Sequence, residues 1–205
     1  MKRHHAMPFG AQLCPDGRVR FRLWAPAARK VELCLHDHAH EARLQMAAED
    51  EGWFGMRTGL AAPGTLYSYR IDDGWQVPDP ASRYQPDDVH GPSQVIDPGR
   101  FDWQDEDWRG RPWEEAVIYE WHTGAGTLQG DYSGTAARLD YLAELGVTAL
   151  ELMPLADFPG RRNWGYDGVL PFAPDSSYGH PEELKALVQA AHARGLMVLP
   201  SWPPT

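Results

Sequence analysis

The sequence contains few cysteines and no long apolar segment. Its 205 residues include only Cys14 and Cys34, whose separation suggests neither a disulfide framework nor a zinc site. No segment reaches the roughly 18 apolar residues of a membrane span, and the N-terminus lacks the apolar core of a signal peptide. We therefore expect a soluble, cytoplasmic protein with no membrane partner.

Excess positive charge is absent as well. The formal net charge is −10, whereas a nucleic-acid-binding surface neutralises phosphates with Lys and Arg. The sequence also lacks a phosphate loop, a nucleophile elbow, a zincin motif and an oxygen-rich cluster of the kind that binds divalent cations. We expect no nucleic-acid partner, no cofactor and no bound metal.

Glycine, proline and large aromatic residues are abundant instead. The 20 Gly and 18 Pro favour a loop-rich chain that contains strands, and nine Trp and eight Tyr are many for this length. Trp and Tyr suit flat, partly polar ligands such as sugars, but they also serve in ordinary cores. Composition alone leaves both interpretations open.

The first half of the sequence alternates apolar and polar residues with a period of two. In Arg18–Trp24 the apolar side chains fall on one face and the arginines on the other, and Lys30–His36 repeats the pattern. Further candidate strands are Ala42–Met46, Trp53–Thr58 and Leu66–Ile71. Short strands separated by turn signals predict an antiparallel β-sandwich over residues 7–96.

Periodicity then disappears over a proline-rich stretch. Residues 97–115 contain Trp103, Trp108 and Trp113 among acidic residues. Flexible linkers rarely contain so many aromatics. We therefore interpret residues 97–115 as an ordered connector that packs on both of its neighbours.

Strand-like and helix-like segments alternate in residues 116–205. They are a strand at Ala116–Trp121, a helix capped by Ser133 and ending near Leu145, a strand at Val147–Met153, a helix from Pro181 to Gly195, and a strand at Leu196–Leu199. This order predicts parallel βαβ units. The fold class is therefore multi-domain, with the β-sandwich followed by the first part of an incomplete (β/α)8 barrel.

Polar residues that could carry chemistry lie at the predicted C-terminal edge of the parallel sheet, where such barrels place their sites. They are Glu120, His122, Glu151, Asp157, Arg161, Arg162, Asn163, Trp164, Tyr166 and Asp167. For Glu120, His122 and Glu151, a structural role in neighbouring strands is the stronger interpretation. The stretch Trp164–Gly168 either displays its rings to a sugar or packs over the barrel rim.

A family resemblance rests on several motifs. Glu151–Leu155, Phe158–Val169 and Pro174–Gly179 resemble segments of the malto-oligosyltrehalose trehalohydrolases, which belong to the α-amylase clan of glycoside hydrolases. Asp79–Arg83 and Val89–Ser93 look like the connector of that family. The N-terminal strands look like its immunoglobulin-like, starch-binding-type module. The resemblance covers nearly the whole chain, and the loop that begins at Phe158 is its most specific part.

The resemblance implies hydrolysis of the α-1,4 bond that releases trehalose from maltooligosyl trehalose. The clan retains anomeric configuration by using an Asp nucleophile and a Glu acid. Those residues and a supporting Asp would lie beyond Thr205, so no catalytic residue is assigned. The stacking tyrosine of the cleavage subsite matches Tyr166, with Trp164 and Asp167 as neighbouring substrate-binding residues.

Two departures from the family pattern shape our expectations. Thr123–Gly126 replaces a hydrophobic or aromatic position, and Leu199 is followed by three prolines in six residues. We expect a frameshift or an early stop, an inactive chain, and a C-terminal half that is loosely folded or prone to aggregation. The alternatives are a glycogen-branching or debranching enzyme fragment, a non-enzymatic α-glucan-binding module, and a translated remnant without function.

Overall fold

The chain forms two compact units in a computed structural model that describes residues 8–36 and 41–201. One unit contains the described residues up to Pro98 together with Leu170–Ala173. The other contains Gly99–Val169 and the described residues from Pro174 onward. The predicted boundaries at residues 96 and 115 stay predictions.

The first unit consists mainly of antiparallel strands. They are β1 (Gly10–Leu13), β2 (Val19–Trp24), β3 (Val31–His36), β4 (Glu41–Gln45), β5 (Ala47–Ala48), β6 (Trp53–Thr58), β7 (Leu66–Ile71), β8 (Gln76–Val77) and β9 (Ser93–Gln94), with a 3-10 turn at Asp50–Gly52. One sheet has the order β1-β2-β6-β5, and the other has β4-β3-β7-β8 with β9 on β7. The predicted β-sandwich is confirmed.

Alternation along the strands builds the core between these sheets. Val19, Phe21 and Leu23 on β2 are buried, and Leu33 on β3 is fully buried against them in one cluster. The rings of Phe21 and Tyr67 meet edge to face, with centroids 4.9 Å apart. One predicted strand differs, because the chain leaves one sheet at Gln45 and enters the other at Ala47, with Met46 buried at the crossing.

A buried carboxylate is held beside this core. Asp79 Oδ2 accepts hydrogen bonds from the hydroxyls of Tyr67 at 2.8 Å and Tyr69 at 3.4 Å. Its Oδ1 accepts the backbone N–H of Ala81 at 2.8 Å. Burial raises the pKa of the Asp79 carboxyl, and burial beside that carboxyl raises the pKa of both tyrosines.

The later residues alternate strands and helices. A 3-10 turn at Trp113–Glu115 precedes β10 (Ile118–Trp121), α1 (Tyr132–Ala136), α2 (Leu139–Glu144), β11 (Ala149–Leu152), β12 (Ala156–Asp157), β13 (Leu170–Pro174), α3 (Pro181–His192) and β14 (Met197–Pro200). Strands β10, β11 and β14 form a parallel sheet in that order. This arrangement is the predicted opening of an α/β barrel.

The first predicted helix is wrong in its cap and its continuity. Asp131, not Ser133, is the N-cap, because its Oδ1 accepts the N–H of Gly134 at 2.7 Å. Ser133 is exposed and donates its hydroxyl to the same oxygen. The helix is interrupted at 137–138, so that two short helices replace one.

The third strand of the parallel sheet extends one residue further than predicted. Pro200 is its last residue and is paired with Leu152, and the next N–H, from Ser201, bonds the carbonyl of Leu152 at 2.8 Å. A proline is tolerated there because it closes the strand instead of interrupting it. The remaining predicted breakers fall at 202–205, outside the described residues. No helix in the described chain is long and apolar enough to cross a membrane.

Candidate functional site

An open cleft lies at the C-terminal edge of the parallel sheet. Its volume is about 510 Å³, and it is lined by His122, Gly124, Ala125, Arg161, Arg162, Asn163, Trp164 and Tyr178. His122 follows β10 directly, while the run from Arg161 to Trp164 belongs to the loop that follows β11 and β12. The cleft therefore lies where parallel barrels place their ligand-binding groups.

Hydrogen bonds donated by backbone N–H groups hold both ends of the segment Phe158–Val169, hereafter called the aromatic loop. The N–H of Val169 bonds the carbonyl of Asp157 at 2.8 Å, which closes the loop on itself. The N–H of Phe158 donates to the Asp175 carboxylate at 3.1 Å, and the Phe158 ring is buried against Tyr178 with centroids 5.7 Å apart. The loop thus has fixed ends even though it contains no helix or strand.

The aromatic loop displays its rings to solvent. Trp164 is 87% exposed and Tyr166 is 53% exposed, and Asp167 beside them is exposed as well. Packing over the barrel rim would bury both rings, so this geometry favours display over rim packing. Trp164 lines the cleft, whereas Tyr166 and Asp167 lie outside its lining.

Three of the predicted polar residues, Glu120, Glu151 and Asp157, lie apart from the cleft. Glu120 and Glu151 are register partners on β10 and β11, so their side chains lie on one face of the sheet, away from the helix-side core that contains Trp121 and Leu152. Neither glutamate lines the cleft. Asp157 is fully buried below the loop.

Two arginines also line the cleft, and none of the described residues that line it is acidic. Arg161 and Arg162 are exposed, and they line both the main cleft and a second hollow of about 350 Å³. In the described chain, no group of three or more His, Cys, Asp and Glu side chains could hold a metal ion. The walls therefore offer hydrogen-bond donors and aromatic surface.

Tyr178 lines the cleft with an aromatic side chain that was not among the candidates from the sequence. It is 3% exposed, and burial beside the Asp175 carboxylate raises its pKa to about 12, so its hydroxyl is neutral at physiological pH. A Cβ added at Gly124 would lie only 2.9 Å from Cε1 of the Tyr178 ring, so the ring leaves no space for a side chain at that position. The signal was available in the Pro174–Gly179 motif, which ends in Tyr-Gly.

Two family models match the chain in succession. Residues 8–92 match carbohydrate-binding module 48, the isoamylase N-terminal domain. Residues 96–200, just over half of the chain, match the α-amylase catalytic domain. The order of the two matches agrees with the order of β-sandwich and parallel α/β sheet along the chain.

Curated relatives agree with these models. The malto-oligosyltrehalose trehalohydrolase of Saccharolobus solfataricus is 46% identical over 94% of this chain and 34% of the relative. The enzyme of the same name from Deinococcus radiodurans is 45% identical over 92% of this chain and 31% of the relative. A glycogen debranching enzyme from Dickeya chrysanthemi is 34% identical over 94% of this chain and 38% of the relative. The chain thus spans about a third of the length of the trehalohydrolases it matches.

Solved structures share the fold. A Salmonella typhimurium protein solved as a candidate α-amylase is 46% identical and superposes with a TM-score of 0.91, over 98% of this chain and 34% of that one. A pullulanase from Paenibacillus barengoltzii, in complex with maltohexaose and α-cyclodextrin, is 26% identical, with a TM-score of 0.79 over 96% of this chain and 38% of that one. With its sandwich, its parallel sheet and the matches above, the chain belongs to the α-amylase catalytic-domain family of glycoside hydrolases and corresponds to the N-terminal third of its trehalohydrolase relatives.

Proposed function

We propose that this chain supplies the substrate-binding N-terminal part of a glycoside hydrolase that releases trehalose from maltooligosyl trehalose. The observation that carries the proposal is the aromatic loop, which presents Trp164 and Tyr166 at the C-terminal edge of the sheet. Identity to the trehalohydrolases reaches 46%, and the most specific part of the resemblance is this loop. The ligand class is therefore a linear α-glucan or maltooligosyl trehalose.

The proposed binding roles follow from the chemistry of a glucose ring. A sugar presents an apolar C–H face that stacks on an aromatic plane, and hydroxyls around its edge that accept and donate hydrogen bonds. Tyr166 and Trp164 supply exposed planes, and the exposed carboxylate of Asp167 accepts from hydroxyls. Retaining hydrolysis needs a nucleophile and an acid that flank one bond. Because the family resemblance places both of them beyond Thr205, we assign no catalytic role to residues 8–201.

A second candidate function is α-glucan binding by the β-sandwich itself. The match to carbohydrate-binding module 48 covers that unit, and Trp75 beside the β7–β8 turn is 90% exposed. The debranching relative supports a third assignment, in which the same two parts act on branched glucans.

We further propose a cytoplasmic location, and that residues 97–115 act as the ordered connector.

Isothermal titration calorimetry with maltotetraose, which measures binding affinity, tests the main proposal. We expect weak binding by the 205-residue protein, and a loss of affinity of roughly three- to ten-fold in W164A and in Y166A, because each variant removes one stacked ring. W113A is the matched control, since Trp113 is 66% exposed but belongs to the turn before β10. A loss only in W75A would move the binding role to the β-sandwich, and no binding by the wild type would refute the proposal.

A further inference from the structure

The orientation of Trp164 cannot come from the packing of its own ring. The ring is 87% exposed, and the aromatic loop around it contains no helix or strand. The position from which this side chain projects is therefore set by the backbone on either side of it. The structure provides one contact on each side.

His122 contacts the backbone immediately before Trp164. Its Nε2 lies 2.8 Å from the carbonyl oxygen of Asn163. A carbonyl oxygen can only accept a hydrogen bond, so Nε2 carries the hydrogen and Nδ1 carries the lone pair in the neutral ring. His122 thus joins the end of β10 to the loop that follows β11.

The imidazole has little freedom to turn away from this bond. The buried ring of Tyr178 meets it edge to face, with centroids 6.3 Å apart and planes at 85°. A Cβ at Gly124 would lie 3.2 Å from His122 Cε1, so the backbone of Gly124 also packs closely on the ring. Both contacts hold the Nε2–H in the direction of Asn163.

The backbone after Trp164 is held as well. The Asn163 Oδ1 accepts the N–H of Gly165, which closes a tight turn around Trp164. Gly165 is buried with φ +97°, and a Cβ there would lie 3.2 Å from Met153 Cε, so the turn lies closely on the residue that follows β11. Trp164 is thus carried on a turn fixed at both ends.

We propose that His122 is the positioning residue of the sugar-binding surface. By donating to Asn163 it fixes the backbone from which the Trp164 side chain projects at the cleft, so that the residues following β10 and β11 jointly define the stacking surface. The proposal rests on the function proposed above for Trp164. It assigns to His122 a role through another residue, with no contact to the reacting bond.

Fluorine NMR of the full chain labelled with 5-fluorotryptophan tests the proposal without any ligand. The Trp164 signal, identified by its absence in W164F, is expected to shift and narrow in H122A as the ring gains mobility. H122Q and H122N separate a hydrogen-bonding role from a merely structural one. The Gln amide nitrogen reaches the position of Nε2 and is expected to restore the signal, whereas the shorter Asn is not.

The same variants are then titrated with maltotetraose. H122A and H122N are expected to lose about two- to ten-fold in affinity, the effect of one hydrogen bond, and H122Q is expected to stay near wild type. H192A is the matched control, because His192 pairs with Asp105 at 2.6 Å, outside the cleft. An unchanged Trp164 signal in H122A, or equal signals in H122Q and H122N, overturns the inference. Absent binding with the expected signals overturns only the proposed function.

Discussion

At the scale of single residues, Asp79 shows how a buried carboxylate is tolerated in a small sandwich. Three donors, from Tyr67, Tyr69 and Ala81, satisfy its two oxygens. Burial nonetheless raises its pKa above the ordinary value. The folded state therefore keeps the proton to a higher pH than the unfolded chain does, and the free energy of unfolding falls as the pH rises between the two pKa values.

Replacement of Asp79 makes this dependence measurable. The stabilising contribution of the protonated carboxyl is fully present below the unfolded pKa of about 3.9 and is lost as the pH rises through the higher folded value. In D79N this pH-dependent part is expected to disappear, so the wild type loses stability relative to D79N as the pH rises from about 4 through the raised folded pKa of Asp79. D79A leaves the three donors without their acceptor and is expected to cost about 2–4 kcal/mol. Urea unfolding at several pH values measures both effects, and parallel pH profiles for wild type and D79N would contradict the first.

The sequence was informative at this scale for some residues and silent for others. Trp164, Tyr166 and Asp167 could be selected from the loop motif, and the structure leaves all three exposed. His122 was a candidate and Tyr178 lies in the Pro174–Gly179 motif, but the contacts that define their roles could not be predicted, because they join residues far apart in the chain, such as His122 and Asn163. Hydrogen bonds of this kind depend on tertiary packing and leave no local pattern.

At the scale of secondary-structure elements, patterns of period two and the helix start at Pro181 were predictive, whereas the cap of the first helix was not. Strands β2 and β3 agree with the alternation of Arg18–Trp24 and Lys30–His36 almost residue for residue. The helix after β10 begins at an Asp131 cap, which competes with Ser133 as a capping side chain two residues away. Both residue types are good caps, so the choice depends on the backbone geometry of the preceding loop.

This choice of cap can be tested by a pair of substitutions. D131A removes the acceptor of the Gly134 N–H and is expected to lower the free energy of unfolding by about 1 kcal/mol. S133A is the matched control, and it is expected to change stability by less than about 0.5 kcal/mol, because Ser133 is exposed and does not cap the helix. Chemical denaturation of both variants measures the difference. Equal effects, or a larger effect of S133A, would favour the cap predicted from the sequence.

At the scale of the whole molecule, the parallel sheet exposes apolar surface along β10. Val117, Ile118 and Tyr119 are 54%, 44% and 42% exposed. In the described chain β10 pairs only with β11, so its other edge presents unpaired backbone groups. An edge strand with exposed apolar side chains is a template for association. This geometry is consistent with the expected aggregation of the C-terminal half, which stays a prediction.

A lysine placed on this edge tests the expectation. I118K introduces a charge that opposes edge-to-edge pairing, and it is expected to lower light scattering at high protein concentration while leaving the thermal midpoint within a few degrees. L60K is the control, because Leu60 is 68% exposed but follows β6 in the sandwich. Self-association that is equally reduced by L60K would point to general solubility, and undiminished self-association in I118K would exclude the β10 edge.

The short segment Leu170–Ala173 affects when the compact unit that contains the β-sandwich can finish folding. It belongs to the same compact unit as the β-sandwich, where Leu170 and Ala173 cluster with Val89 and the ring of Phe172 lies 5.3 Å from that of Phe9. During translation, the ribosome releases the strands of the sandwich long before this segment emerges. A truncated protein that ends near Pro98 would therefore retain both sheets but expose Val89 and Phe9 to solvent. A fragment that reproduces the whole compact unit must also include Leu170–Ala173.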